Sequence, residues 1–552
     1  MEPKLLSDSE MQKFICDGFL VLPPVVPAEL SASIYQKLNL VRYEDYKNPG
    51  NYKNPGNNVL PSVPELQCVL DAPEVRGALQ SVLGMDYVLH PHRYCHSNFP
   101  GEDTADGPKV GEGSTTFVGW HQDSHSPLGR PRHHFPEYAM LLYYPQDTPP
   151  ELGPTQLIPA TQYHRALGDS DRARSIQASG DAGTCVLTHF DIGHGASLNV
   201  GDHCRHMLKF VFARASEPTQ PSWDFQDPEW RTPHDTLSPH DKQAVWQWIW
   251  TRLRGGNRGT YEREINTANV QDLVVSLTGD SDLDSRLQAC NELAELGSAA
   301  SDAIPALITS FEGPEPLRQN AIYALAAIGE AAVPALSETL TNADGECNEG
   351  AFVLEDSAYA LSAIGPAALP ALEVIARHDD EWLRVNGLFA IGEMGAAAVG
   401  SLSVLRSALA DESHMVVRTA LDALGHLGLS ATPAVPEILA LVTNKNSQWT
   451  LSEKRSEYIK SGTGNSTKRR RVWSGADMVR MNAVMALLRI GLHEHNVEES
   501  LLNALGDDCG YVNGFAIEAL LRFDSPTALR GTLNHLQTHR WDDTLIRNVR
   551  TF

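Results

Sequence analysis

The stretch Trp120-His121-Gln122-Asp123-Ser124-His125 holds the first pair of residues that invites chemistry. On a β-strand, residues i and i+2 point to one face, so His121 and Asp123 can grip one ion without bending the backbone. One imidazole and one carboxylate are two thirds of the facial triad that holds non-haem iron(II) and leaves coordination positions open for oxygen chemistry. The same His-x-Asp pattern recurs at His189 and His378, as chance predicts with 21 histidines in 552 residues. The surrounding sequence has to decide between them.

A third ligand must come from a neighbouring strand. His194 is the best candidate, in Phe190-Asp191-Ile192-Gly193-His194-Gly195-Ala196-Ser197. Asn199-Val200-Gly201-Asp202 has the composition of a hairpin turn. A turn centred between Val200 and Gly201 sets Arg205 opposite Ala196, on the same sheet face as His194. An inward arginine needs a partner, because a lone buried guanidinium is costly. A dicarboxylate co-substrate supplies one, since arginine clamps carboxylates bidentately. Neither His189 nor His378 is followed by such a His and Arg pair.

These features resemble the phytanoyl-CoA dioxygenase family of iron(II)/2-oxoglutarate oxygenases over about residues 7–215. The likeness rests on Asp17-Gly18-Phe19, on the Trp120–His125 motif, on Gly153 to His164 (GPTQLIPATQYH), and on His194 with Arg205 eleven residues later. It implies that His121, Asp123 and His194 bind Fe(II), that Arg205 holds the far carboxylate of 2-oxoglutarate, and that O2 is the second co-substrate. It implies a double-stranded β-helix (jelly-roll, cupin-like) with flanking helices, and oxidation of a C–H bond with release of succinate and CO2. Two departures stand out. Family members often carry serine two positions after the distal histidine, where this chain has Ala196, so Ser197 is the substitute expected to touch 2-oxoglutarate. The usual Pro-Gly-Ser-His is here Pro159-Ala160-Thr161-Gln162-Tyr163-His164. The presence of Asp123 argues against a halogenase.

The elements that must position these residues are legible in outline. A capped helix over Ser7–Cys16 leads through Asp17-Gly18 into a strand at Phe19–Leu22, and residues 27–42 and 61–84 read as helix. Short strands follow at 87–94, 116–123, 138–144, 155–159, 183–190, 197–200 and 205–213, the signature of a sandwich, barrel or jelly roll. Twelve of the 21 histidines lie between His90 and His206, inside this β-rich stretch. His90, His92, Tyr94, His96 and Asn98 alternate along one strand and suit a polar substrate pocket. Arg130-Pro131-Arg132-His133-His134 is a local basic cluster, either an anion receptor or a solvated loop. Tyr94, His96, His125, Arg130 and Arg132 are the candidate substrate contacts.

A Trp-rich extension with a helix at 242–252 closes a first domain, 1–265. The second, 270–552, is repetitive: Gly297, Gly329, Gly365, Gly395 and Gly428 recur with Pro-Ala-Leu segments after most of them. Each unit reads as two amphipathic helices around a glycine turn, and such units must stack into a solenoid. The pattern resembles HEAT-like repeats of the PBS-lyase type, which implies protein contact. A polar insertion at about 443–475 carries Lys468-Arg469-Arg470-Arg471, a polyanion patch or a solvated loop, and the doubled Lys-Asn-Pro-Gly at 47–56 is a lid or a surface insertion.

The net charge of −25, from 44 basic and 69 acidic residues, disfavours nucleic acid or anionic membrane as partner. Eight cysteines form no C-x-x-C pair, and no secretory or membrane-spanning segment is expected, so a cytoplasmic protein is. The leading expectation is a hydroxylase of a small metabolite, anionic if the basic cluster lies at the site. A protein hydroxylase whose repeats capture its substrate, or a non-catalytic solenoid scaffold, are the alternatives.

Overall fold

The computed structural model describes residues 2–40, 43–44, 52–53, 59–104, 107–109, 118–123, 133–256, 269–343, 348–446, 449 and 475–538. The expected domain boundary at 265–270 and most of the polar insertion fall outside these residues, as do most of the doubled Lys-Asn-Pro-Gly and the Lys468–Arg471 run.

The chain opens on helix Asp8–Asp17, fixed by a reciprocal cap between Ser7 and Glu10 and stopped by left-handed Gly18. Residues 61–84 are not one helix. Three short ones, Val59–Ser62, Leu66–Leu70 and Pro73–Leu83, take their place. Pro64 and Pro73 explain the breaks: each removes a backbone donor and restricts the residue before it.

Strands follow in chain order after β1 (Phe19–Leu22) and the small hairpin β2 (Tyr43–Glu44) and β3 (Tyr52–Lys53). They are β4 (Val88–Asn98), a second small hairpin β5 (Glu102–Thr104) and β6 (Gly107–Lys109), β7 (Val118–His121) and β8 (Tyr138–Tyr143). The last five are β9 (Thr155–Ile158), β10 (Ile176–Gln177), β11 (Cys185–His189), β12 (Gly193–Ala196) and β13 (Arg205–Ala213). Two antiparallel sheets result, one ordered β1-β11-β8-β13-β4 and one ordered β10-β9-β12-β7. The expected strand at 197–200 is absent; β12 ends at Ala196.

One expectation about register fails. β12 and β13 do not form a hairpin. β12 pairs with β7 and β9 in the four-stranded sheet, whereas β13 lies between β8 and β4 in the five-stranded one. Arg205 faces Asn98, not Ala196. The chain crosses from one layer to the other over residues 197–204, so His194 and Arg205 look at each other across the sandwich.

The repeats follow their glycine period. Gly297, Gly329, Gly365, Gly395, Gly428 and Gly491 all take positive φ at the corner after a helix, where a side chain would be strained. Among the helices before these corners, Glu315–Ile328, Glu381–Gly392 and His414–His426 are buried along nearly their whole length, polar residues such as Arg318, Asn320 and Arg418 included, so they are covered on every side. Their outer face meets the partner helix of the repeat. Their inner face meets the chain's own β domain, through Tyr323, Tyr359, Phe389 and His426. Tyr511 and Phe515 of helix Gly510–Leu520 pack on His90 of β4. The same burial explains why Glu315–Asn342 has the length and hydropathy of a membrane span although 61% of its most apolar window lies inside the protein.

Candidate metal centre

His121 closes β7 and His194 lies in β12, directly opposite it in the register. Their rings approach to 4.1 Å between centroids. Asp123 follows two residues after His121, and one donor atom from each of the three lies within 4.8 Å of the others. Both imidazoles are oriented in the same way. Nδ1 of His121 lies 3.0 Å from the Gly119 carbonyl, and Nδ1 of His194 lies 3.0 Å from the Ile192 carbonyl. A carbonyl accepts only N–H, so each Nδ1 carries a proton and Nε2 is the nitrogen left for a metal. Burial and the neighbouring His121 push the His194 imidazole down to about 3, keeping it neutral. Against the desolvation that would raise it, Lys209, His194 and His121 hold the Asp123 carboxyl well below the usual range. Two imidazoles and one carboxylate brought together in this way fit a divalent transition metal with positions left open.

The residue between the two β7 donors has its own task. The Gln122 amide nitrogen lies 3.0 Å from the Thr161 carbonyl, 2.8 Å from that of His164 and 2.9 Å from that of Asp191. This clamp ties the end of β7 to the turn after β9 and to the approach to β12, so it fixes both histidine-bearing strands. Thr161 completes it: its hydroxyl donates to the Ile158 carbonyl at 2.6 Å and accepts from the Gly193 amide at 2.9 Å. Ala160 stands where the resembled motif has glycine, and it takes a left-handed φ of 62°. Its N–H donates to Asp17 and its carbonyl accepts from the buried Lys242, so contacts on both sides hold the strained residue.

Arg205 is buried at 3% exposure. Its Nε and Nη2 donate to the Gly153 carbonyl at 3.1 and 2.7 Å, and Nη1 donates to the His96 carbonyl at 3.3 Å. All three guanidinium nitrogens are thus oriented by backbone carbonyls. Asn98 donates to the same Gly153 carbonyl at 3.2 Å. Gly153 has to be glycine: φ is 63°, and a Cβ would meet the Leu198 backbone and Asn98 at 2.7 Å.

Strand alternation puts Arg205, Met207 and Lys209 on one face, and their pairs Asn98, His96 and Tyr94 of β4 beside them. Lys209 reaches across the sandwich and bonds Asp123 Oδ2. Tyr94 and His96 therefore lie on the face shared with Arg205 and Lys209, their rings 4.8 Å apart. The other half of β4 does not. His92 bonds the Tyr511 hydroxyl at 2.7 Å, and His90 packs in the repeat interface.

Ser197 is turned away from the site: its hydroxyl meets Gln177 at 3.4 Å, on the outer side of the four-stranded sheet. It does not stand in for a serine at position 196. His125, Arg130 and Arg132 lie outside the described residues. The histidines ending that basic cluster are neither substrate contacts nor solvated. His133 pairs with Glu393 at 2.7 Å, and His134 bonds the Tyr323 hydroxyl at 2.8 Å while stacking on Tyr359. The roles of Gln122 and Gly153, though both lie in motifs quoted above, and that of Lys209 were not assigned from the sequence. Only the polar Lys209 inside the apolar run Met207 to Ala213 offered a signal.

The sandwich, with two histidines on neighbouring strands of one sheet and an aspartate just beyond one of them, has the architecture of non-haem metal oxygenases. Residues 14–207 match the phytanoyl-CoA dioxygenase (PhyH) family, and the chain is an iron- and 2-oxoglutarate-dependent oxygenase. Residues 317–342 match the PBS lyase HEAT-like repeat, and residues 368–453 match HEAT repeats. No curated protein matches the chain. Solved structures similar to it include EctD from S. alaskensis with bound Fe, 18% identical, covering 41% of this chain and 88% of that one with a TM-score of 0.31. HygX from Streptomyces hygroscopicus with nickel and 2-oxoglutarate bound is 18% identical, covering 38% and 86% with a TM-score of 0.26. The non-heme alpha ketoglutarate dependent epimerase SnoN from nogalamycin biosynthesis is 16% identical, covering 38% and 83% with a TM-score of 0.28.

Proposed function

We propose that this chain oxidises a C–H bond of a small metabolite, using iron(II) held by His121, Asp123 and His194 and 2-oxoglutarate anchored by Arg205. The observation that supports this reading most directly is the convergence of three donors within 4.8 Å, both histidines leaving Nε2 for a metal. The chemistry supplied with metal and co-substrate is oxidative decarboxylation: 2-oxoglutarate and O2 give succinate and CO2, and one oxygen atom goes to the substrate as hydroxyl. The protein's own work is positioning. Gly119 and Ile192 carbonyls fix the two ring orientations, Gln122 holds the strands that carry them, and Gly153 with Asn98 sets the arginine fork.

The repeats bear on the substrate class. Their inner helices, the surface a solenoid ordinarily offers to a partner, are taken up by the β domain through Tyr323, Tyr359, Phe389 and His426. That occupation favours a small-molecule substrate over a protein captured in the solenoid. The intact donor set and the buried arginine speak against a non-catalytic scaffold.

Succinate formation from 2-oxoglutarate with added iron(II), for wild type and for His121→Ala, tests the reading. Slow uncoupled turnover by wild type that disappears in the variant is the expected result. A wild type that neither takes up iron nor forms succinate overturns it, and a screen of anionic metabolites against proteins then separates the substrate classes.

A further inference from the structure

Lys209 has no part in the chemistry above, yet it sits at its centre. It is 7% exposed, it points from β13 into the face shared with Arg205 and Met207, and the Phe190 ring lies 6.0 Å from its ammonium. Its partner is Asp123 Oδ2. That same oxygen lies 3.8 Å from His194 Nε2, so it is the one turned toward the second histidine ligand. Ammonium and metal therefore claim one oxygen. Two cations so close repel, and more strongly away from bulk water. When a metal takes Asp123, Lys209 has to share its counter-charge with the metal.

Charge bookkeeping shows what must supplement it. With iron(II) bound, the protein contributes the cations Arg205 and Lys209 against the single anion Asp123. The two carboxylates of 2-oxoglutarate go to the metal and to Arg205. One positive charge is left over, and it resides on Lys209, where an unpaired buried ammonium is unfavourable. Its surroundings leave room for a ligand, since His96 on the adjacent β4 strand is exposed to solvent.

We infer, resting on the metal assignment proposed above, that Lys209 anchors an anionic group, carboxylate or phosphoryl, of the primary substrate, and that it leaves Asp123 for that group once metal is bound. No bond is made or broken in this exchange; one ion pair replaces another. The substrate's reacting carbon is thereby held near the metal by a charge opposite the co-substrate's anchor.

The test uses the full chain, wild type and Lys209→Met, with Lys209→Gln as a second variant and unfolding midpoints as a check of folding. Mn(II) affinity in anion-poor buffer is measured first. Removal of the competing ammonium is expected to tighten it about tenfold. The anaerobic iron(II)–2-oxoglutarate complex is then titrated with phosphate, methylphosphonate and acetate, followed by its visible charge-transfer absorption. Wild type is expected to respond saturably to at least one of the three, and both variants about tenfold more weakly, the ordinary loss of a charged hydrogen bond. Their affinity for 2-oxoglutarate stays as in wild type. A wild type indifferent to all three anions, or variants that respond equally, overturns the inference. A comparable loss of 2-oxoglutarate affinity in the variants overturns it too, and gives Lys209 to the co-substrate. A wild type that binds no metal overturns instead the metal assignment beneath it.

Discussion

Among the described residues, two groups of side chains bring carboxylate and histidine within reach of a single ion, His121–Asp123–His194 in the β sandwich and Glu137–Glu217–His426 where the sandwich meets the repeats. By donor distance they are alike. Their neighbours make them opposites. In the second group Arg252 Nη2 lies 3.0 Å from Glu217, Arg489 Nη2 lies 3.6 Å from Glu137, and Arg252 Nη1 lies 3.4 Å from Glu393. Guanidinium does not give up its proton, so these cations are permanent occupants. His426 is a cation as well: against its burial and the nearby Arg489, Glu137 and Asp422 push it up to about 10. In the first group burial holds His194 neutral, and the cation bonded to Asp123 is a lysine on a flexible stem. Proximity of donors does not make a metal site. Unspent lone pairs do, and fixed cations spend them. The first group is built to exchange partners, the second to hold two domains together.

The largest effect should come from breaking the junction. Arg489→Met strands Asp422, 2.8 Å away, and Glu137 in a buried interface. A loss of about 3–5 kcal/mol is expected by denaturant unfolding, with metal affinity unchanged. Next is His121→Ala, expected to weaken Mn(II) binding by more than about a hundredfold, beyond what the loss of a supporting residue costs, while the unfolding midpoint of the metal-free protein holds. If Asp123→Ala still binds one metal and His426→Ala abolishes it, the contrast between the clusters is wrong. Gln122→Ala removes the clamp and no ligand, and about a tenfold loss of metal affinity in calorimetry is expected.

The gentlest probe is pH. The folded pKa of His426 lies above its unfolded value of about 6.5, so its contribution is complete below that value and fades as pH rises through about 10. Glu393 runs the other way. Burial would raise it, but His133 and Arg252 hold it at about 2, so its contribution is present above the ordinary carboxylate range and fades only as pH falls toward 2. The unfolding midpoint should therefore decline from pH 7 to 10, and His426→Gln should flatten that decline.

Much of the site was legible because its logic is local. The i, i+2 spacing joins His121 to Asp123, and Arg205 opens an expected strand, whereas the strand that carries His194 was not among those expected. The glycine period of the repeats was legible for the same reason, since one corner conformation recurs at Gly329, Gly365 and Gly395. The sheet to which Arg205 belongs was not. Turn composition at Asn199–Gly201 describes a few residues, whereas the pairing with Asn98 joins strands 107 residues apart. Ser197 was misread for a related reason: a face is known only once the sheet's register is.

The amino-acid order alone thus determined the kinds of element, the donor types and their spacing, because these depend on backbone preferences within a few residues. Tertiary structure decided what each charge meets. Lys209 looks like an anomaly in an apolar strand until the sheets close over Asp123. His133 looks like part of an anion receptor until Glu393 arrives from a helix 260 residues on. Repeat sequences encode stacking on their neighbours, and nothing local says that the remaining face of Glu315–Ile328 or His414–His426 is to be covered by the same chain. Electrostatic partners are chosen by proximity in space, and proximity between distant segments is a property of the packed chain.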